Sequence, residues 1–214
     1  SPLIAATAKE IISTNGMADT INVIVKKSTN LKVGVDLARP ADLLVFEIFS
    51  SEFLAEGVLS SVEDAKRRLL SPEGRIIPSG GSIMVALFGG NHVGQNIMVD
   101  EVSGFDMSKF NSITSKRRFF KANHFDIKLL TDDVEAFSFD FNEDNYFPPE
   151  QKILKIPVTT AAECHGIIQW NRMRMDDAII FENHPTIKTT ASGWSHVAYL
   201  FDKPIGVEPH QTAI

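Results

Sequence analysis

The sequence predicts an α/β segment followed by an all-β domain. Three observations carry that reading. Helix and strand signals alternate as far as Ile77, which is the grammar of an open α/β sheet. Pro78-Ser79-Gly80-Gly81 then interrupts the pattern as a boundary would. Beyond it, the segments read as antiparallel strands and no second α/β unit appears.

The elements follow in order. Pro2 to Asn15 reads as a helix, with Ile4, Ala8, Ile11 and Ile12 at helical spacing and Asn15-Gly16 as its stop. Ile21–Val25 is a short β-branched strand. Ala41–Phe46 (ADLLVF) is nearly continuous in apolar residues, as in a buried parallel sheet. Val58–Leu70 is a helix whose last turns carry Lys66, Arg67 and Arg68, favourable for the helix dipole. Pro72-Glu73-Gly74 turns the chain into a strand over Arg75–Ile77. In the second part, Ser82–Phe88, His124–Leu130, Phe137–Phe141, Lys152–Thr159 and Gly166–Met175 read as antiparallel strands. Gly89–Asn123 fits neither pattern and reads as an inserted arm, containing the basic-aromatic run Lys116–Lys121.

Composition removes several classes of function. The net charge is -6, so there is no global basic field for nucleic acid. The single cysteine, Cys164, rules out an intrachain disulfide framework and suits a reducing, cytoplasmic or nuclear, compartment. No apolar run reaches the roughly 20 residues of a membrane span. The six histidines form no HxxxH pair and have no CxxC partner, so no metal is expected. No serine sits in a G-x-S-x-G elbow, and His165 beside Cys164 reads as structural.

The loop after the apolar strand carries the chemistry. Glu47 stands at the strand's end, where open α/β sheets bind ligands, and Glu52 and Glu56 follow within nine residues. Their neighbours Ile48, Phe49, Phe53, Leu54 and Val58 are apolar, so these acids need partners. A guanidinium presents a planar fork of donors that carboxylates can hold in pairs.

Here the stretch Glu47–Gly57 resembles the double-glutamate loop of protein arginine N-methyltransferases, in which two glutamates nine positions apart clamp a substrate guanidinium. Glu47 and Glu56 have that spacing. Asn15-Gly16, Lys27-Ser28-Thr29, Ala41–Leu44, Glu56–Leu59 and Gly74–Pro78 follow in the family's order. Gly104-Phe105-Asp106-Met107 is similar to a motif of its dimerisation arm, and Trp194 falls where its threonine-histidine-tryptophan loop has the tryptophan. Val58 stands where asymmetric dimethylating enzymes carry methionine, which makes the monomethylating branch the nearer match. The resemblance implies a Rossmann-like domain over residues 1–78 and a β-barrel over 79–214, with the arm at about 89–123. It further implies S-adenosylmethionine as methyl donor, arginine-containing protein substrates and a homodimer.

Residue by residue, the resemblance makes Glu47 and Glu56 both catalytic and substrate-binding, with Trp194 beside the substrate. It assigns Ser28, Thr29 and Asn30 to cofactor binding, Asn30 standing where the family has an acid near the adenine amino group. The chain departs from the pattern at Ser192-Gly193-Trp194, which lacks the loop histidine. The family's glycine-rich loop and ribose-binding acid fall upstream of Ser1, and the end of its barrel beyond Ile214. A fragment of a longer enzyme, binding the cofactor weakly or not at all by itself, is therefore expected. Glu52 reads as solvated or salt-bridged, and Trp194 as either a stacking residue or a packing one. Besides an active transferase, two readings stay open: a non-catalytic protein-binding relative, and a nucleic-acid module built on Lys116–Lys121.

Overall fold

The computed structural model describes residues 1–90, 97–188 and 191–214. They form two compact units: Ser1–Leu44 with Ser60–Arg75, and Val45–Leu59 with Ile76–Ile214. The division differs from a single cut at 78, because residues 45–59 group with the second unit.

In the first unit, helix α1 (Pro2–Thr14) opens with Pro2 in its first turn, where a missing N–H and a preset φ suit the position. Gly16 ends it at φ 70°. Ile21–Val25 forms no strand despite its β-branched side chains, since such residues make strands only where a partner strand pairs with them. A single 3-10 turn covers Ser28–Asn30. Strand β1 (Ala41–Val45) pairs with β2 (Leu70–Ile77), and helix α2 (Val58–Arg68) joins them. The expected burial of β1 is not met: Leu43 is 49% and Val45 63% exposed. Among the described residues β2 is its one neighbour, so its faces lack the cover of a wider sheet. The expected turn at Pro72–Gly74 is instead continuous strand, because a proline is tolerated on an edge whose N–H side needs no partner.

The second unit is barrel-like and antiparallel. Its strands are β3 (Gly80–Gly89), β4 (Glu101–Val102), β5 (Phe105–Asp106), β6 (Arg117–Phe120), β7 (Lys128–Leu129), β8 (Val134–Asp140), β9 (Ile156–Pro157), β10 (Ala162–Arg174), β11 (Ile180–Glu182), β12 (His196–Val207) and β13 (Thr212–Ala213). The main sheet runs β6-β12-β10-β3-β7, with β8 also on β3 and β11 also on β10. Met84, Ala86 and Phe88 of β3 pack with Ile168, Trp170 and Ala198 on one face, while Leu87, Leu130, Val158 and Cys164 cluster separately. Alternation on a pleated strand produces both sets from the same segment.

Three segments differ from expectation. His124–Leu130 begins in a 3-10 turn and only Lys128–Leu129 pairs. Lys152–Thr159 contributes only β9. The long strand β12 was not anticipated, since Asp202-Lys203-Pro204 interrupts its alternation. In the expected arm, residues 91–96 lie outside the described ones. The arm's β4–β5 hairpin turns at Gly104, whereas Arg117–Phe120 is no part of an arm but a strand on β12.

Gly166 lies at a register shift where β10 pairs with both β3 and β12. Its φ is 152°, and an added Cβ would come within 2.1 Å of the Tyr199 carbonyl oxygen. Gly166→Ala is expected to lower stability by at least about 2 kcal/mol through strain and clash, read as a lower urea midpoint; an unchanged midpoint would contradict this account of the bulge.

Candidate functional site

The Glu47–Gly57 loop belongs to the second unit, and its middle is fastened there. Phe49 is buried and Phe53 is fully so. Phe49 lies tilted against Phe53 at 5.1 Å between ring centroids, and Phe53 stacks on Phe139 at 5.4 Å. Phe53 has φ 70°, an unusual conformation for a bulky residue that the surrounding packing must hold. Gly81 of β3 makes room for it: a Cβ there would lie 2.8 Å from the Phe53 ring.

Hydrogen bonds fix three successive residues of the same loop. The Trp194 indole Nε1 donates to the Phe49 carbonyl at 2.9 Å. Asn171 Nδ2 donates to the Ser50 carbonyl at 2.9 Å. The Ser195 N–H donates to Ser51 Oγ at 2.8 Å. Buried backbone groups need such partners, so the loop can hold one conformation without belonging to a strand.

Glu47 and Glu56, at the loop's two ends, are exposed. Among the described residues neither has a hydrogen-bonding or ionic partner. Glu52, between them, is ion-paired with Arg117. The loop thus presents two unneutralised carboxylates and one that is already matched. Trp194 packs edge-on to Phe49 at 6.2 Å and to Phe181 at 5.6 Å. A cavity of about 230 Å³ touches Trp194, Ser192, Lys121, Asn183 and His196. A larger one, of about 990 Å³, lies beside Asn111, Asp126 and His165. Neither glutamate lines either cavity.

In the first unit, the side chains of Ser28, Thr29 and Asn30 are exposed on their turn. Arg68, in the last turn of α2, donates to the carbonyls of Leu31 at 2.8 Å and Ser28 at 3.1 Å. It also pairs with Asp64, and that guanidinium holds the Asp64 carboxyl below its usual range. The turn's backbone is therefore tied down while its polar side chains stay available to a ligand.

The basic run Lys116–Lys121 is consumed internally. Lys116 pairs with Asp202 and Arg117 with Glu52. Arg118 bonds Thr114 and the Ser115 carbonyl, and Lys121 donates to the carbonyls of residues 192–194. Cys164 is fully buried, and burial pushes its thiol up, the opposite of what a nucleophile needs. Among the described residues, no three His, Cys, Asp or Glu side chains gather as a metal would require. No helix among them is long and apolar enough to cross a membrane.

Asn171, Lys121, Gly81 and Arg68 escaped the reading of the sequence as site residues. Asn171 sits inside an ordinary strand pattern, and Lys121 ends a run that looks like solvated charge. No local signal distinguishes either. His196 is buried and extends the same network. Its Nδ1 accepts the Ala122 N–H at 3.0 Å, and Nε2–H donates to the Asn183 carbonyl at 2.7 Å. Asn183 Oδ1 in turn accepts the Asn171 N–H at 2.9 Å.

No protein-family model matches the sequence. The chain is 30% identical to an arginine N(omega)-methyltransferase of Streptomyces achromogenes subsp. streptozoticus over 213 residues, covering 99% of this chain and 58% of that protein. It is 29% identical to protein arginine N-methyltransferase 7 of Oryza sativa subsp. indica over 184 residues, covering 79% of this chain and 25% of that protein. Among solved structures, the Trypanosoma brucei PRMT1 enzyme-prozyme heterotetrameric complex with AdoHcy aligns with a TM-score of 0.70 at 16% identity, covering 98% of this chain and 66% of that one. The structural likeness supports the fold, and the chain spans less than two thirds of each of these relatives.

Burial lowers the pKa of His196 from its ordinary 6.5, with Lys121 and His184 adding smaller like-charge effects. Its neutral form accepts from Ala122, which a protonated ring could not do. A depressed folded pKa contributes stability that is full above the unfolded value and lost as pH falls. The urea midpoint should therefore hold above about pH 6.5 and decline below it, with a shallower decline over that interval in His196→Asn; equal slopes in the two proteins would refute the assignment.

Proposed function

We propose that this relative of the arginine N-methyltransferases transfers methyl groups to arginine side chains of proteins, with Glu47 and Glu56 as the clamp for the substrate guanidinium. The observation that carries the reading is the fastened loop. Phe49, Ser50, Ser51 and Phe53 are held to the β unit, while the flanking glutamates stay exposed without a partner among the described residues. Two unpaired acids on a rigid support suit a ligand that brings its own positive charge.

The chemistry asks for little acid strength. A guanidinium is protonated at neutral pH and its nitrogen lone pairs are delocalised. Carboxylates gripping one edge localise the charge there and direct a free nitrogen outward. S-adenosylmethionine, when bound, supplies an electrophilic sulfonium methyl. The protein's part is positioning, worth roughly 7–11 kcal/mol in favourable systems, together with electrostatic stabilisation by the clamp. Glu56 receives the proton released from the methylated nitrogen. Trp194 flanks the substrate, where its ring face can meet a cation.

Ser28, Thr29 and Asn30 would hold the adenine end of the cofactor. Their turn suits it, because Arg68 engages its carbonyls and leaves exposed hydroxyl and amide groups. The hairpin arm supports self-association into a homodimer. Phe105 is 72% and Ile113 78% exposed there, as befits residues covered by a partner.

Two measurements test the reading. Mass spectrometry of a single-arginine peptide incubated with the intact protein and S-adenosylmethionine should show a gain of methyl groups, their number reporting the product state. Glu47→Gln and Glu56→Gln should each cut turnover by about a hundredfold or more, as loss of one partner from a desolvated charge pair does. Glu52→Gln should be mild, since a partly exposed pair contributes little; wild-type turnover in Glu56→Gln would sink the clamp. For the arm, Phe105→Ser should shift the protein from dimer to monomer in light scattering, and a wild-type monomer at micromolar concentration would dispose of the dimer.

A further inference from the structure

Lys121 lies just past β6, beyond the last paired position, Phe120 with His196. Its ammonium donates to three consecutive carbonyls: Ser192 at 2.7 Å, Gly193 at 2.9 Å and Trp194 at 2.7 Å. An ammonium has three N–H donors and no acceptor, so all three are matched by this one stretch of backbone. Successive carbonyl dipoles aimed at a common point repel one another, and a compact cation at their focus removes that repulsion.

The stretch so gathered leads straight to the clamp loop. The Trp194 N–H donates to Ser192 Oγ at 3.1 Å, closing the turn. The same residue's indole holds the Phe49 carbonyl, two positions from Glu47. The next residue, Ser195, holds Ser51. From Lys121 to the loop bearing Glu47 and Glu56 the route through the Trp194 side chain is two hydrogen bonds, and the route through Ser195 is two hydrogen bonds and one residue of backbone.

We propose that Lys121 is a positioning residue: its ammonium acts as an internal cation that shapes Ser192–Trp194 and, through Trp194 and Ser195, sets the placement of the Glu47–Glu56 loop. The proposal rests on the reading of that loop as a guanidinium clamp. It also explains why lysine and not arginine suits the position. Three carbonyls converging on one point match a compact, rotatable ammonium, whereas a guanidinium spreads its donors across a plane.

The test uses the intact protein in four forms: wild type, Lys121→Met, Lys121→Arg, and Lys121→Cys alkylated with 2-bromoethylamine. Alkylation rebuilds an amine of lysine's length, and the native thiol, Cys164, is buried and so protected. Steady-state kinetics are measured with an arginine peptide and with S-adenosylmethionine, and amide hydrogen exchange is followed at residues 49–51 and 192–195. For Lys121→Met and Lys121→Arg, kcat/KM for the peptide should fall between about 10- and 100-fold, the scale of a small misplacement of reacting groups. KM for S-adenosylmethionine should stay unchanged. Exchange should quicken at those two stretches and not in β3 or β10, and the alkylated cysteine should restore both readouts.

Exchange at wild-type rates in Lys121→Met overturns the proposal, and so does a variant that unfolds as a whole, since Lys121 would then serve the fold and not the loop. If wild type leaves the peptide unmethylated, the clamp reading fails by itself. The exchange measurement then still decides whether Lys121 holds the loop.

Discussion

Phe49, Ser50 and Ser51 have backbone and hydroxyl groups that must find partners inside the protein, and none of the three lies in a sheet. Trp194, Asn171 and the Ser195 N–H supply those partners. An unmatched polar group in such surroundings costs about 1–3 kcal/mol, so the loop has one well-satisfied conformation and few alternatives. The buried Phe53 ring, in the pocket that Gly81 leaves open, adds an apolar anchor at the same place. With its centre immobilised twice over, the loop can leave Glu47 and Glu56 exposed without letting them wander.

The charges around this loop follow one logic. Each cation of the basic run has an internal task, and Arg117 neutralises the middle glutamate. In the loop itself, Glu47 and Glu56 are without a hydrogen-bonding or ionic partner among the described residues. The first unit uses the same device: Arg68 engages the carbonyls of the Ser28–Asn30 turn and leaves its side chains available.

Much of this was legible in the chain. The helical readings located α1 and α2, the strand readings located β3, β8 and β10, and the spacing of Glu47 and Glu56 singled out the loop. The misses have particular causes. Ile21–Val25 has the side chains of a strand but no partner strand among the described residues. β12 is broken in pattern by Asp202-Lys203-Pro204, yet pairs with β10 and β6 on either side. Arg117–Phe120 looks like surface charge because alternate residues face outward, and only pairing with β12 reveals it as strand.

The sequence by itself singled out Glu47, Glu52 and Glu56 as the loop's acids, because an acid's type and spacing are local properties read directly along the chain. It also determined the order of α/β and β parts, since periodicity is local too. Only the tertiary structure decided what holds those residues in place. Asn171 meets Ser50 across 121 positions of chain, Trp194 meets Phe49 across 145, and Lys121 meets Trp194 across 73. Nothing in the immediate neighbourhood of any of these residues encodes its partner. Such contacts exist because folding brings distant backbone groups together under the requirement that each buried donor and acceptor be matched.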